Sequence, residues 1–169
     1  MIRPTPLKRF QLQCLVVLAT PLLANVAYSA CEGKEFRAFD FWIGDWDVYA
    51  GGKLAGHNNI TREYGGCVIH EHYSTARGYS GESFNIFDAT RGVWHQSWVD
   101  TDGLLLLLDG HSAPGKMTLE GKIVDNKQQT TWHRITWTLN PDKSVRQLWE
   151  TATKPGEWTV AFDGKYVKK

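Results

Sequence analysis

Side chains able to do chemistry are interleaved with tryptophans along this chain. The stretch "VWHQSWVD" (93–100) alternates Trp94, Gln96, Trp98 and Asp100 with Val93, His95, Ser97 and Val99. "CVIHEHY" (67–73) puts Ile69, Glu71 and Tyr73 in phase, and "SFNIFD" (83–88) offers Asn85 and Phe87. "WHRITW" (132–137) offers Arg134 with Trp132 and Thr136, and "VRQLWE" (145–150) offers Val145, Gln147 and Trp149. Alternate residues of a strand share one face. Large rings with a few polar groups among them are the usual wall of a small-molecule cavity. The expected cluster is therefore Glu71, Asn85, Gln96, Arg134 and Gln147, walled by Tyr73, Trp94, Trp98 and Trp149. An inward Arg134 would need a carboxylate, either Glu71 or one on a ligand held bidentately. The alternatives are an internal polar network without a ligand, or an Arg134 that faces water.

Other chemistries have less behind them. Glu71 or Asp100 would serve as a general acid or base if burial raised its pKa. No G-x-S-x-G occurs, and Ser83 in "SGESFN" lacks a nucleophile's context. His70 and His72 lie two apart and would share a strand face opposite Glu71. Without an H-E-x-x-H pattern they call for no metal, and no cofactor is expected.

The elements that must position these groups follow one rhythm from Trp46 onward, a run of β-formers and then a turn. Turn signals fall at 50–53, 64–66, 78–81, 89–92, 100–103, 112–115, 125–128, 140–143 and 154–157. They separate ten candidate strands. Short connections favour neighbours in sequence pairing in space. Ten antiparallel strands avoid exposed edges most simply by closing. The expected fold is all-β: an antiparallel up-and-down β-barrel of about ten strands, lipocalin- or fatty-acid-binding-protein-like, with a short N-terminal helical plug. In "GKEFRAFDFWIG" (33–44), Phe36, Phe39 and Phe41 or Trp42 would share one face of a helical turn that Gly44 ends. That face would seal one barrel end. Asp45 and Asp47 flank Trp46 and would point to water.

Residues 1–29 read as an export signal. Arg3, Lys8 and Arg9 are basic, "CLVVLA" is apolar, and Ala27 and Ser29 suit a cleavage site. An uncleaved anchor, or a lipoprotein cut before Cys31, are the alternatives. Residues 30–169 would form one barrel domain, periplasmic or secreted, with no transmembrane anchor after cleavage. Losing three basic residues and no acids takes the formal charge from +1 to −2. With no basic stripe, nucleic acid is not an expected partner. Cys31 and Cys67 remain as an even pair in an exported chain and are read as a disulfide; a reactive thiol is the alternative.

"FDFWIGDWDV" (39–48) resembles the start of an uncharacterised family of exported bacterial proteins with a lipocalin-like (calycin-like) barrel. The likeness continues through "GGCVIHEHY", "SFNIFDATRGVWHQSWVD", "GKMTLEG", "RITWT", "VRQLWE" and "FDGKY", nearly the whole exported chain. The resemblance implies a fold and no established reaction. A related haem-binding barrel uses a histidine late in its chain as the iron ligand. Here the last histidine is His133, which argues against haem. One departure is "GLLLLLDGH", with five successive leucines. Leu104–Leu108 would be buried on both faces, touch lipid or cover a partner, including a second copy.

Three functions fit this reading. The first is a protein that holds a small apolar or aromatic molecule in a tryptophan-lined interior. The second is a barrel enzyme, an isomerase, lyase or hydrolase using Glu71 or Asp100. The third is a structural or interaction protein with a filled barrel.

Overall fold

A computed structural model describes residues 31–169. The leader reading therefore lies outside the described residues. Ten strands form: β1 (Gly44–Ala50), β2 (Lys53–Glu63), β3 (Val68–Ser74), β4 (Ser80–Asp88), β5 (Val93–Asp100), β6 (Leu105–Ala113), β7 (Lys116–Val124), β8 (Thr130–Leu139), β9 (Val145–Ala152) and β10 (Thr159–Lys168). Each pairs antiparallel with its neighbour in sequence, and β1 pairs with β10, for example Val48 opposite Tyr166. The sheet is thus a closed barrel with no unpaired edge, the arrangement of a calycin-like fold. Every one of the nine expected turns falls at a junction of two consecutive strands, overlapping a strand end by one or two residues at 50–53, 78–81, 100–103 and 112–115.

Alternation decides what faces in. Trp46 and Val48 on β1, Ile69 and Glu71 on β3, and Met117 and Leu119 on β7 are all buried. The leucine run obeys the same pleat. Leu106 and Leu108 are buried, whereas Leu105 and Leu107 are about half exposed. Burial on both faces is therefore not the answer for this strand. Its outer side continues an apolar strip with Val99 and Phe84 on β5 and β4.

The segment before β1 supplies the plug. A single helical turn, α1 (Lys34–Arg37), leads into a 3-10 turn at Asp40–Trp42. Phe39 and Trp42 are fully buried and stack with ring centroids 4.8 Å apart. Phe39 also meets Trp94 at 5.7 Å and Trp137 at 5.2 Å. The plug is thus an aromatic cluster. Trp46 Nε1 donates to the Trp42 carbonyl oxygen at 2.9 Å, tying the plug to β1. Gly44 joins them at φ +149°, a backbone region that favours glycine. Asp45 is exposed and Asp47 half-buried, on the outer face as expected.

The expected disulfide is present. Cys31 and Cys67 are joined across a sequence separation of 36, fastening the chain before the plug to the β2–β3 connection. Arg37 reinforces the junction by donating to the carbonyl oxygens of Cys31, at 2.8 Å, and Gly66. No described helix is long and apolar enough to cross a membrane.

Candidate functional site

Above the plug, the barrel interior holds a cavity of about 320 Å³. Its walls are mostly rings. Trp98 from β5, Trp149 from β9, Phe162 from β10, and Tyr73 and Tyr79 at either side of the β3–β4 turn all line it. Leu106 and Ile135 complete the apolar wall from β6 and β8. Glu71, Gln96, Gln147 and Tyr166 bring polar atoms to it. Ala161, at a register shift in β10, is exposed and also lines it, which places that residue at the mouth.

Glycines let two of these rings lie where they do. A Cβ on Gly81 would come within 2.3 Å of Cζ2 of Trp98, so the indole covers the backbone of β4. A Cβ on Gly56 would meet the phenol oxygen of Tyr73 at 2.6 Å and the Ser74 carbonyl oxygen at 2.5 Å. An aromatic ring lying across a strand glycine restores the packing that the missing side chain leaves out.

A hydrogen-bonded chain fixes the polar floor. Asn85 Nδ2 donates to the Ile69 carbonyl oxygen at 3.1 Å and to Ser83 Oγ at 2.9 Å. Gln96 Nε2 donates to Asn85 Oδ1 at 2.8 Å and to Ser83 Oγ at 3.3 Å. Ser83 Oγ donates to Glu71 Oε2 at 2.6 Å, and Asn58 Nδ2 donates to Oε1 at 2.7 Å. Tyr166 donates its hydroxyl hydrogen to Gln147 Oε1. Glu71 is only 3 % exposed. Burial pushes its carboxyl up to about 7, against the pull of Ser83, Asn58 and the charge of His70. Burial, together with the charge of Glu71, also holds the Tyr166 phenol well above its ordinary value.

Several expected residues take other places. Arg134 faces outward, the reverse of the interior position expected for it. Its guanidinium lies 3.0 Å from Glu150 Oε2 and stacks 4.2 Å over the Trp158 ring. The inward set of β8 is His133, Ile135 and Trp137. This parity buries an isoleucine and a tryptophan and leaves a guanidinium near water, avoiding a large desolvation cost. Trp94 faces in but belongs to the plug, against Phe39 and Phe87. Asn85 is fully buried behind the wall and holds Gln96. The structure brings Glu71, Tyr73, Gln96, Trp98, Gln147 and Trp149 together around the cavity.

Asp100 stands at the end of β5 and accepts four hydrogen bonds. These come from Tyr79 Oη at 3.0 Å, Trp98 Nε1 at 3.1 Å, and the backbone N–H groups of Asp102 and Leu104 at 3.0 and 3.1 Å. Burial raises its pKa, but these donors outweigh burial and hold the carboxyl below the usual range. It orients two wall rings and closes the β5–β6 turn. His70 and His72 lie on the outer face, bonded to Glu63 and Glu82.

Sequence reading missed Asn58, Ser83, Tyr166 and Phe162. Two had a signal: Ser83 shares parity with Asn85, and Asn58 shares parity with Ile60. Trp149 Nε1 donates to His133 Nδ1 at 3.1 Å, which puts the ring proton of neutral His133 on Nε2. No family model matches the chain, and no curated protein matches it.

Proposed function

We propose that this is an exported, periplasmic or secreted protein that holds one small apolar or aromatic molecule inside its barrel. The observation that carries the reading is the cavity of about 320 Å³, walled by rings from four strands and the β3–β4 turn and floored by a connected polar network. Such volume and lining suit a small ligand. The disulfide supports export, because such bonds persist in oxidising compartments.

Native protein is to be searched by mass spectrometry for co-purifying small molecules, and tryptophan fluorescence titrated with apolar aromatics. Trp98 and Trp149 would report an occupant directly. The control is Ala161→Trp, chosen to fill the mouth from an exposed position. Ligand-dependent quenching that this variant loses supports the reading. A flat response across the panel, with nothing co-purifying, removes it.

A second reading is acid–base catalysis by Glu71, favoured by a carboxyl that titrates near neutrality beside a cavity. It requires turnover of a bound molecule that Glu71→Gln abolishes while binding persists.

A further inference from the structure

We propose that the cavity selects apolar molecules that carry a hydrogen-bond donor and no negative charge, a hydroxyl or an amine, seated on the Glu71 carboxylate and the Gln96 carbonyl oxygen. This deepens the binding reading above and rests on it.

Charge is the first argument. Among the described residues, those around the cavity include one carboxylate, Glu71, and no lysine, arginine or histidine. Arg134, the cation that a ligand carboxylate would have used, is outside on Glu150 and Trp158. Asp100 sits directly behind Trp98 and Tyr79 and adds a second negative charge near the wall. An entering anion would be desolvated beside two carboxylates with no partner, which is costly in a medium of low dielectric. An ammonium would instead meet Glu71 and the faces of Trp98 and Trp149.

Hydrogen-bond direction is the second argument, and it is independent of the first. The Ile69 carbonyl can only accept. It therefore fixes Asn85 Nδ2 as a donor and leaves Asn85 Oδ1 as an acceptor. Gln96 must then present Nε2 to Asn85, so Gln96 Oε1 is turned away from that contact. Gln96 Oε1 has no protein partner among the described residues. Ser83, having accepted from Asn85 and Gln96, directs its own hydrogen at Glu71. The Asn85–Gln96–Ser83–Glu71 chain thus points its hydrogens into the wall and leaves oxygen lone pairs for a guest. Gln147 Nε2 and the Tyr73 hydroxyl are further donors beside the cavity. They tolerate a neutral acceptor on the same guest and do not supply the charge an anion needs.

The test uses four naphthalenes with the native protein at pH 8, where Glu71 is mostly ionised. The inference expects 2-naphthol to bind about tenfold tighter than 2-methoxynaphthalene, although the ether is the more apolar. It expects 2-naphthylmethylammonium to bind at least about tenfold tighter than 2-naphthoate. Each signal is counted only if Ala161→Trp removes it, which separates the interior from the outer apolar strip. Glu71→Gln should shrink the ammonium-over-naphthoate ratio by about tenfold; an unchanged ratio overturns the role of Glu71. If the ether equals the naphthol, or the naphthoate equals the ammonium, the inference falls while the binding reading stands. If no naphthalene enters the interior, the inference falls, and the binding reading falls with it when nothing co-purifies with the native protein. The wild-type comparisons decide the matter even if Glu71→Gln does not fold.

Discussion

The two ends of this barrel are built from the same residue types for opposite purposes. At the closed end, Phe39, Trp42, Trp94 and Trp137 fill the space with rings 4.8 to 5.7 Å apart. The indole N–H groups of Trp42, Trp94 and Trp137 are buried without a hydrogen-bond partner among the described residues. At the open end, Trp98 and Trp149 each donate an indole N–H, to Asp100 and His133, and stand around a cavity. Packing against one another holds the rings of the first set, and hydrogen bonds anchor the rings of the second. The contrast predicts that ring packing in the plug contributes much of the stability of this fold, while the open half accepts polar groups and empty space that a plug could not.

Phe39→Ala should test that contrast most severely. It removes the ring at the centre of the plug and is expected to lower stability by about 3–5 kcal/mol, read as a fall in the guanidinium midpoint. A loss below about 1 kcal/mol would mean that the plug is not where stability lies.

Opening the disulfide comes next. With a sequence separation of 36, Cys31→Ser with Cys67→Ser should cost about 3–4 kcal/mol by chain entropy, with the naphthalene affinities of the folded protein unchanged.

Glu71→Gln should act in the opposite direction, and only at higher pH. The folded state raises this carboxyl from 4.5 to about 7, so it binds more protons than the unfolded chain between those values. Ionisation of this one group therefore takes stability away as pH rises through that window, by up to about 3 kcal/mol. The glutamine cannot ionise. If the Asn58 amide, which now donates Nδ2 to Glu71, turns over, its Oδ1, buried without a partner among the described residues, can accept from the glutamine N–H. The variant should match or exceed wild type at pH 8 and show no such gain at pH 4. Parallel pH profiles for the two proteins would refute the assignment.

Gly81→Ala should have the smallest effect on stability and a sharp one on binding. Its methyl group would press on the Trp98 ring and come within 2.8 Å of the Val99 carbonyl oxygen, which is expected to cost about 1–2 kcal/mol of stability. Quenching by 2-naphthol should weaken about tenfold. An unaltered affinity would show that the Trp98 wall does not touch the guest.

Much of this organisation was legible beforehand. Nine clusters of turn residues marked the strand boundaries, because turns need residue types that strands avoid. Parity was legible where one set was clearly more apolar, as for Ile69 and Tyr73, and Glu71 was carried inward with them. It misled in "WHRITW", where both parities contain a tryptophan and the charge on Arg134 invited a ligand-binding role. The place of Trp94 along the barrel was not legible, since alternation tells in from out but not top from bottom.

The sequence by itself determined ten strands, their order, the disulfide and the aromatic plug, because these depend on local turn chemistry, pleat period and cysteine count. Only the tertiary structure decided which inward residues meet. Glu71, Gln96 and Gln147 come from β3, β5 and β9 and converge because the sheet closes with one stagger. Closure also put Arg134 outside against Glu150, since the cost of desolvating a guanidinium outweighs any pairing that the interior offers. The sign of the charge in the cavity was thus settled by burial energetics across strands, which no single stretch of sequence contains.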